Sequence, residues 1–123
     1  MQRAFTNILS RNVDATSVFY ENLLSMERSG DFGWFVILTH KDMPAFELGI
    51  LDLFHETIPE GVVSRAGGAI ITFVVSDLDA IATKARSMKA KIIQEPTDLP
   101  YGQRRLMLRD PDGLAVDISS PIR

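Results

Sequence analysis

The sequence predicts an α+β fold made of two pseudo-symmetric copies of one strand–helix–strand–strand–strand (βαβββ) module. Three observations predict it. The segment Asn12-Val13-Asp14-Ala15 recurs as Asp77-Leu78-Asp79-Ala80, 65 positions later, each copy between a strand-like apolar run and a helix-like segment. Two further stretches recur 70 positions on: Trp34-Phe35-Val36-Ile37-Leu38 as Arg104-Arg105-Leu106-Met107-Leu108, and Ala45-Phe46-Glu47-Leu48 as Ala115-Val116-Asp117-Ile118. Between the halves, the stretch from Asp52 to Gly67 contains Pro59, Gly61 and Gly67 and has the composition of a connector. The layout expected is one domain over residues 1–123, with a first module over about 1–51, a linker over 52–67 and a second module over about 68–123.

Each element has its own signal. Phe5 to Leu9 and Ala69 to Val75 are short apolar runs that open the modules as strands. Asn12 and Asp77 follow them as N-caps, whose side chains accept from backbone N–H groups of the first helical turn. Ala15, Val18, Phe19 and Leu23 have the spacing of one helical face, as do Leu78, Ile81, Ala82, Ala85 and Met88. Asp110-Pro111-Asp112-Gly113 is a tight-turn sequence, Pro fixing one φ and Gly supplying a positive one. In the closing strand Leu114, Val116 and Ile118 alternate with Ala115, Asp117 and Ser119. The matching strand alternates Phe46, Leu48 and Ile50 with Ala45, Glu47 and Gly49. Glu47 and Asp117 therefore pair up as equivalent carboxylates among small residues on the face away from the helix. An open sheet face in water and the lining of a cavity both satisfy that pattern.

Composition narrows the chemistry. The absence of cysteine removes disulfides, thiolate nucleophiles, zinc ribbons and iron–sulfur clusters together. Only His40 and His55 supply imidazole. The net charge is −3, divided as −5 over residues 1–60 and +2 over the rest, a poor balance for neutralising nucleic-acid phosphates. Lys84, Arg86, Lys89 and Lys91 fit a solvated helix face and exit. The longest nearly apolar run, Ala69 to Val75, is far short of a membrane span, and residues 1–11 hold no signal-peptide stretch. The expectation is a cytoplasmic protein with neither nucleic acid nor membrane as partner.

Order and spacing of these motifs over essentially the whole chain resemble the glyoxalase/bleomycin-resistance/extradiol-dioxygenase (vicinal oxygen chelate) superfamily. The resemblance is carried by Phe19-Tyr20 with Leu23-Leu24, by the Asp77 turn, and by Arg109-Asp110-Pro111-Asp112-Gly113 leading to Asp117. It implies that the two modules form a curved mixed sheet around a cavity, often completed by dimerisation, so a homodimer is expected. In metal-dependent members one ligand comes from the first strand and one from the last strand of each module. Carried over, those positions are Phe5, Glu47, Ile70 and Asp117. Two carboxylates remain, but Phe5 and Ile70 cannot coordinate a metal, and neither histidine lies at those positions. No metal and no cofactor are therefore expected, and lactoylglutathione lyase and ring-cleaving dioxygenase activities are expected to be absent.

What remains is a site for a small-molecule ligand, apolar or aromatic, or cationic given the acidic first half. Phe5 and Ile70 would line it, with Asn7 and Thr72 on the same strand faces as polar groups. Trp34 either stacks on the ligand or packs in the core. Arg104 and Arg105 are adjacent in a strand, so one of them faces the Asp117 side. Tyr101 opens a Tyr-Gly loop at the mouth, as in bleomycin-resistance-like members. The alternative is a lyase or isomerase with Glu47 or Asp117 as catalytic base, with or without a weakly held divalent metal, which needs a raised carboxyl pKa. The resemblance also places glycine after each helix, where this chain has Ser25 and Lys89.

Overall fold

The structure, a computed structural model, describes residues 1–59, 69–100 and 102–122. Two compact units divide the chain, Met1–Arg65 and Ala66–Arg123, and each contains one βαβββ module. The first runs β1 (Thr6–Ser10), α1 (Val13–Leu24), β2 (Glu27–Asp31), β3 (Phe35–His40) and β4 (Met43–Asp52). The second runs β5 (Ile70–Val74), α2 (Leu78–Ser87), β6 (Lys91–Leu99), β7 (Gln103–Arg109) and β8 (Ala115–Pro121). Each module forms a four-stranded mixed sheet, in the orders β1-β4-β3-β2 and β5-β8-β7-β6, with the first strand parallel to the last and the other pairs antiparallel. The α+β architecture of paired βαβββ modules is the one expected. Gly61, Gly67 and Tyr101 lie outside the described residues.

Both helices begin as the caps dictate. Asn12 Oδ1 accepts from the Ala15 N–H at 3.0 Å, and Asp77 Oδ1 accepts from the Ala80 N–H at 3.1 Å. Both exits require a left-handed residue. Ser25 and Lys89 each sit at φ 57°, where a Cβ crowds the neighbouring carbonyl.

The face that α1 buries differs from the one apolar spacing suggests. Ala15 and Val18 are exposed, while Val13, Thr16, Ser17, Tyr20, Leu23 and Leu24 are buried with Phe19. Hydroxyls enter the interior because they are satisfied there. Ser10 Oγ donates to Thr16 Oγ1 at 3.0 Å, and Ser17 Oγ donates to the Val13 carbonyl at 2.7 Å. A reading that scores only apolar residues cannot see such a stripe. On α2 the expected face holds, with Leu78, Ala82 and Ala85 buried.

Alternation along the strands then separates two faces of each sheet. In the first module Ile8, Val36, Leu38, Leu48 and Ile50 are buried on the α1 side; in the second Leu106, Leu108, Val116 and Ile118 are buried on the α2 side. Burying each such aliphatic side chain contributes about 1.5–3 kcal/mol relative to leaving it exposed. Ion pairs tie helix to sheet edge. Arg28 on β2 bonds Asp14 and Glu21 of α1 and Asp31, and these carboxylates, Glu21 first, raise its pKa further. Arg104 on β7 bonds Asp98 at 2.9 Å and Asp79 of α2 at 3.4 Å.

Candidate functional site

The face of each sheet turned away from its helix carries the residues of interest. In the first module β1 lies in register with β4 so that Asn7 faces Gly49 and Thr6 faces Leu48, placing Phe5 and Asn7 on the same side as Glu47. Phe35 and Ile37 of β3 join them through their partners Leu51 and Gly49. A Cβ added at Gly49 would collide with the Asn7 amide oxygen and come within 2.9 Å of Phe35 Cε1, so glycine is what lets those two side chains close over the strand.

Glu47 is not a free carboxylate. Arg3, in the segment before β1, donates from Nε to Oε2 at 2.6 Å and from Nη2 to Oε1 at 2.7 Å. This side-on fork engages both oxygens. The guanidinium carbon lies 4.7 Å from the centroid of the Phe5 ring, within cation–π range. The hydrogen bonds from Arg3, with its charge in support, hold the Glu47 carboxyl below the ordinary glutamate range against the opposing effect of partial burial. That direction is opposite to the raised value a general base needs. Arg3 was not among the residues singled out from sequence. Its signal is parity, since residues 3, 5 and 7 share one side of an extended chain.

In the second module Thr72 pairs with Asp117 across β5 and β8, and Met107 pairs with Asp117 across β7 and β8. Thr72 Oγ1 donates to Asp117 Oδ2 at 3.0 Å and Ser119 Oγ donates to Oδ1 at 2.8 Å. Asp117 is thus held by two hydroxyls, and among the described residues no ion pair reaches it. Arg105 pairs with Ser119, so it is the arginine on the Asp117 face, while Arg104 turns to Asp79 on the helix side. Arg105 donates from Nε to Gln94 Oε1 at 3.1 Å, and no hydrogen bond joins it to Asp117 among the described residues. Ile70 is 59% exposed beside them on the same face.

The two carboxylates are not equivalent in register. With β1 matched to β5 by their capped helices, Asn7 corresponds to Thr72, yet Asn7 faces Gly49 whereas Thr72 faces Asp117. The β3–β4 and β7–β8 pairs agree, with Ile37 opposite Gly49 and Met107 opposite Asp117. Gly49 therefore stands where the second module has Asp117, and Glu47 lies two residues back, opposite in kind to Ala115. A one-residue error would have changed faces; a two-residue shift preserves them, so alternation in the sequence could not detect it.

Trp34, just before β3, stacks on His55 with ring centroids 3.9 Å apart at 13°, and lies 5.7 Å from Phe35. It is neither core nor fully open: it remains 38% exposed, with His55 over one face. The His55 Nδ1 accepts from the Thr57 backbone N–H at 3.2 Å, and His40 Nδ1 accepts from the Asp42 N–H at 3.1 Å, so each histidine is engaged in its own turn.

The residues present do not fit a metal. Of the four positions to which the resemblance carries metal ligands, Phe5 and Ile70 have no donor atom, Glu47 is paired at both oxygens with the Arg3 guanidinium, whose charge repels a cation, and Asp117 stands two residues out of register with Glu47. Among the described residues no group of three or more His, Asp and Glu is placed to hold a metal ion. Among them, too, no helix is long and apolar enough to cross a membrane.

Fold and motifs together define a class. The model of the Glyoxalase/Bleomycin resistance protein/Dioxygenase superfamily matches residues 3–118, and the chain belongs to that superfamily. It is 31% identical over 116 residues to the uncharacterized protein YwbC of Bacillus subtilis (strain 168), covering 88% of each chain. Among solved structures it resembles a glyoxalase/bleomycin resistance protein/dioxygenase family enzyme from Burkholderia phytofirmans PsJN, with TM-score 0.82, 18% identity and 96% and 97% of the two chains covered. It also resembles a lactoylglutathione lyase from Agrobacterium tumefaciens, with TM-score 0.73, 18% identity and 98% and 94% covered. At these identities the structural likeness establishes the fold.

Proposed function

We propose that this chain is a metal-independent small-molecule-binding protein of the superfamily, taking an apolar, aromatic or cationic compound on the open faces of its sheets without a cofactor. The observation that carries this reading is the Arg3–Glu47 fork beside Phe5. Of two positions to which the resemblance carries metal ligands, Glu47 is paired with a side-chain cation and Phe5 has an aromatic ring. Phe5 on the first sheet and Ile70 on the second supply apolar surface, 42% and 59% exposed, and Trp34, ahead of β3, is 38% exposed. Asp117, with Thr72 and Ser119 orienting it, supplies the carboxylate for a ligand amine. A homodimer is part of this reading, and light scattering in solution tests it.

Trp34 is the only tryptophan, so fluorescence can be assigned to it and reports a ligand that reaches or perturbs its surroundings. Titrating a panel of aromatic and amine-bearing compounds should give saturable changes that survive a metal chelator, with no product formed in the same mixtures. Binding that requires an added divalent metal would overturn the reading. Product formation lost in Glu47→Gln or Asp117→Asn would turn it toward the lyase or isomerase alternative. At Glu47 the lowered carboxyl pKa works against that alternative.

A further inference from the structure

We propose that Arg3 is the polar anchor of the first module's open face, and that it binds a planar two-oxygen group, such as a carboxylate, on an aromatic or apolar ligand. The inference rests on the small-molecule reading above and narrows its ligand class for this face.

A guanidinium carries five N–H groups arranged as two forks, one side-on through Nε and Nη2, the other end-on through Nη1 and Nη2. Glu47 occupies the side-on fork with one bond from each nitrogen. The second Nη2 proton and both Nη1 protons are left over; the Nη2 proton and one Nη1 proton form the end-on fork that matches the spacing of two carboxylate oxygens. Arg3 keeps 55% of its side chain exposed, and among the described residues its hydrogen bonds use the other edge alone.

The anchor is also held in place. Glu47 grips one edge and the Phe5 ring covers one face, which reduces the rotamer freedom that a long side chain would otherwise lose on binding. The same sheet face carries further aromatic side chains on β3 and the turn before it. Phe35 stacks on Phe32 with centroids 6.3 Å apart at 15°, and Phe5 and Phe32 are 42% and 63% exposed. In the proposed complex a flat apolar body lies on that face with its terminal oxygens at the guanidinium.

The same geometry argues against a cation at this face. An ammonium group would need the Glu47 oxygens, where the Arg3 guanidinium already sits and would repel it. The pair is neutral as a unit, so selectivity comes from N–H groups pointing outward and not from net charge. The expected preference is therefore for acceptor oxygens, and modest in size.

Three probes of similar shape test this: 2-naphthoate, the neutral 2-naphthamide and the cationic 2-naphthylmethylammonium. They are titrated into the full chain and followed by ¹H–¹⁵N NMR at the Arg3 Nε–H and the Phe5, Asn7 and Gly49 amides. Naphthoate should bind there about two- to fivefold more tightly than naphthamide, the range for a charge-assisted pair that stays solvated. Arg3→Met should abolish that advantage and, by freeing Glu47, make the ammonium the tightest of the three. Arg3→Lys, which keeps the charge but lacks the fork, should retain only part of it. Dispersed spectra of both variants confirm that they fold. Equal binding of naphthoate and naphthamide at these residues, or an unchanged ratio in Arg3→Met, overturns the inference while leaving small-molecule binding intact. No shift from any probe on either sheet face overturns both.

Discussion

The two modules share a backbone plan and differ in how each secures its helix and its carboxylate. The first packs Tyr20, Leu23 and Leu24 of α1 into its sheet, with Phe19 set edge-on to Tyr20 at 5.1 Å. The second seats α2 on two alanines and one leucine, Ala82, Ala85 and Leu78, while both modules place ion pairs at the helix periphery, Arg28 with Asp14 and Glu21 in the first and Arg104–Asp79 and Arg86–Glu95 in the second. On the opposite faces, Glu47 is neutralised by an arginine from the segment ahead of β1, whereas Asp117 is held by two hydroxyls from β5 and β8. Position 68, which matches Arg3 at the 65-residue offset, is glycine and has no side chain to play that part. Duplicated architecture therefore constrains the backbone and the buried face, and leaves the open face free to change its chemistry.

Core truncation should break the comparison most visibly. Leu23→Ala removes a fully buried side chain from the first module and is expected to cost about 2–5 kcal/mol. Ala82→Gly, at the matching kind of helix–sheet contact in the second module, should cost about 1 kcal/mol through backbone entropy. Urea denaturation of both variants measures the difference, and equal losses would show that the helices are anchored alike.

Helix exits provide the next test, this time of likeness. Ser25→Gly and Lys89→Gly should each stabilise the protein by about 1 kcal/mol, because both positions hold φ 57° with a Cβ present. A rise in thermal midpoint for only one of them would show that the other exit relaxes at no cost. Gly49→Ala probes the register difference. The added methyl meets the Asn7 amide and Phe35, a loss of about 1 kcal/mol at the low end of overpacking costs, because both neighbours are side-chain tips that can turn. The double variant with Asn7→Gly should recover part of that loss.

The smallest effect concerns pH. Glu47 titrates below the ordinary glutamate value of 4.5, so its contribution to stability is complete above that value and is lost as pH falls through its lowered folded-state value. Arg3→Met should bring its carboxyl ¹³C titration midpoint back up toward 4.5 and remove that part of the acid-side stability slope. A midpoint unmoved by the substitution would mean that the fork does not persist in solution.

Much of the fold was legible in the chain. Recurrence at two offsets revealed the paired modules, Asn12 and Asp77 marked the helix starts, and alternation separated the buried from the open face of β4 and β8. These are local signals, set by side-chain period and cap chemistry within a few residues, and they survive without knowledge of what lies across the sheet. The buried stripe of α1 was less legible, because Thr16 and Ser17 enter the core through hydroxyl bonds to Ser10 and the Val13 carbonyl.

The site divided along the same line. Sequence alone determined which residue types stand at the open face, and so that Phe5 and Ile70 cannot serve as metal ligands. Tertiary structure decided the partners. It set Asn7 against Gly49 but Thr72 against Asp117, brought Arg3 to Glu47 across 44 residues of chain, and turned Arg105 to Gln94. Strand register and long-range ion pairs depend on which backbones lie side by side, and a two-residue slip leaves every side chain on its original face. The pattern along one chain records the face of each residue; only the folded sheet specifies its neighbour.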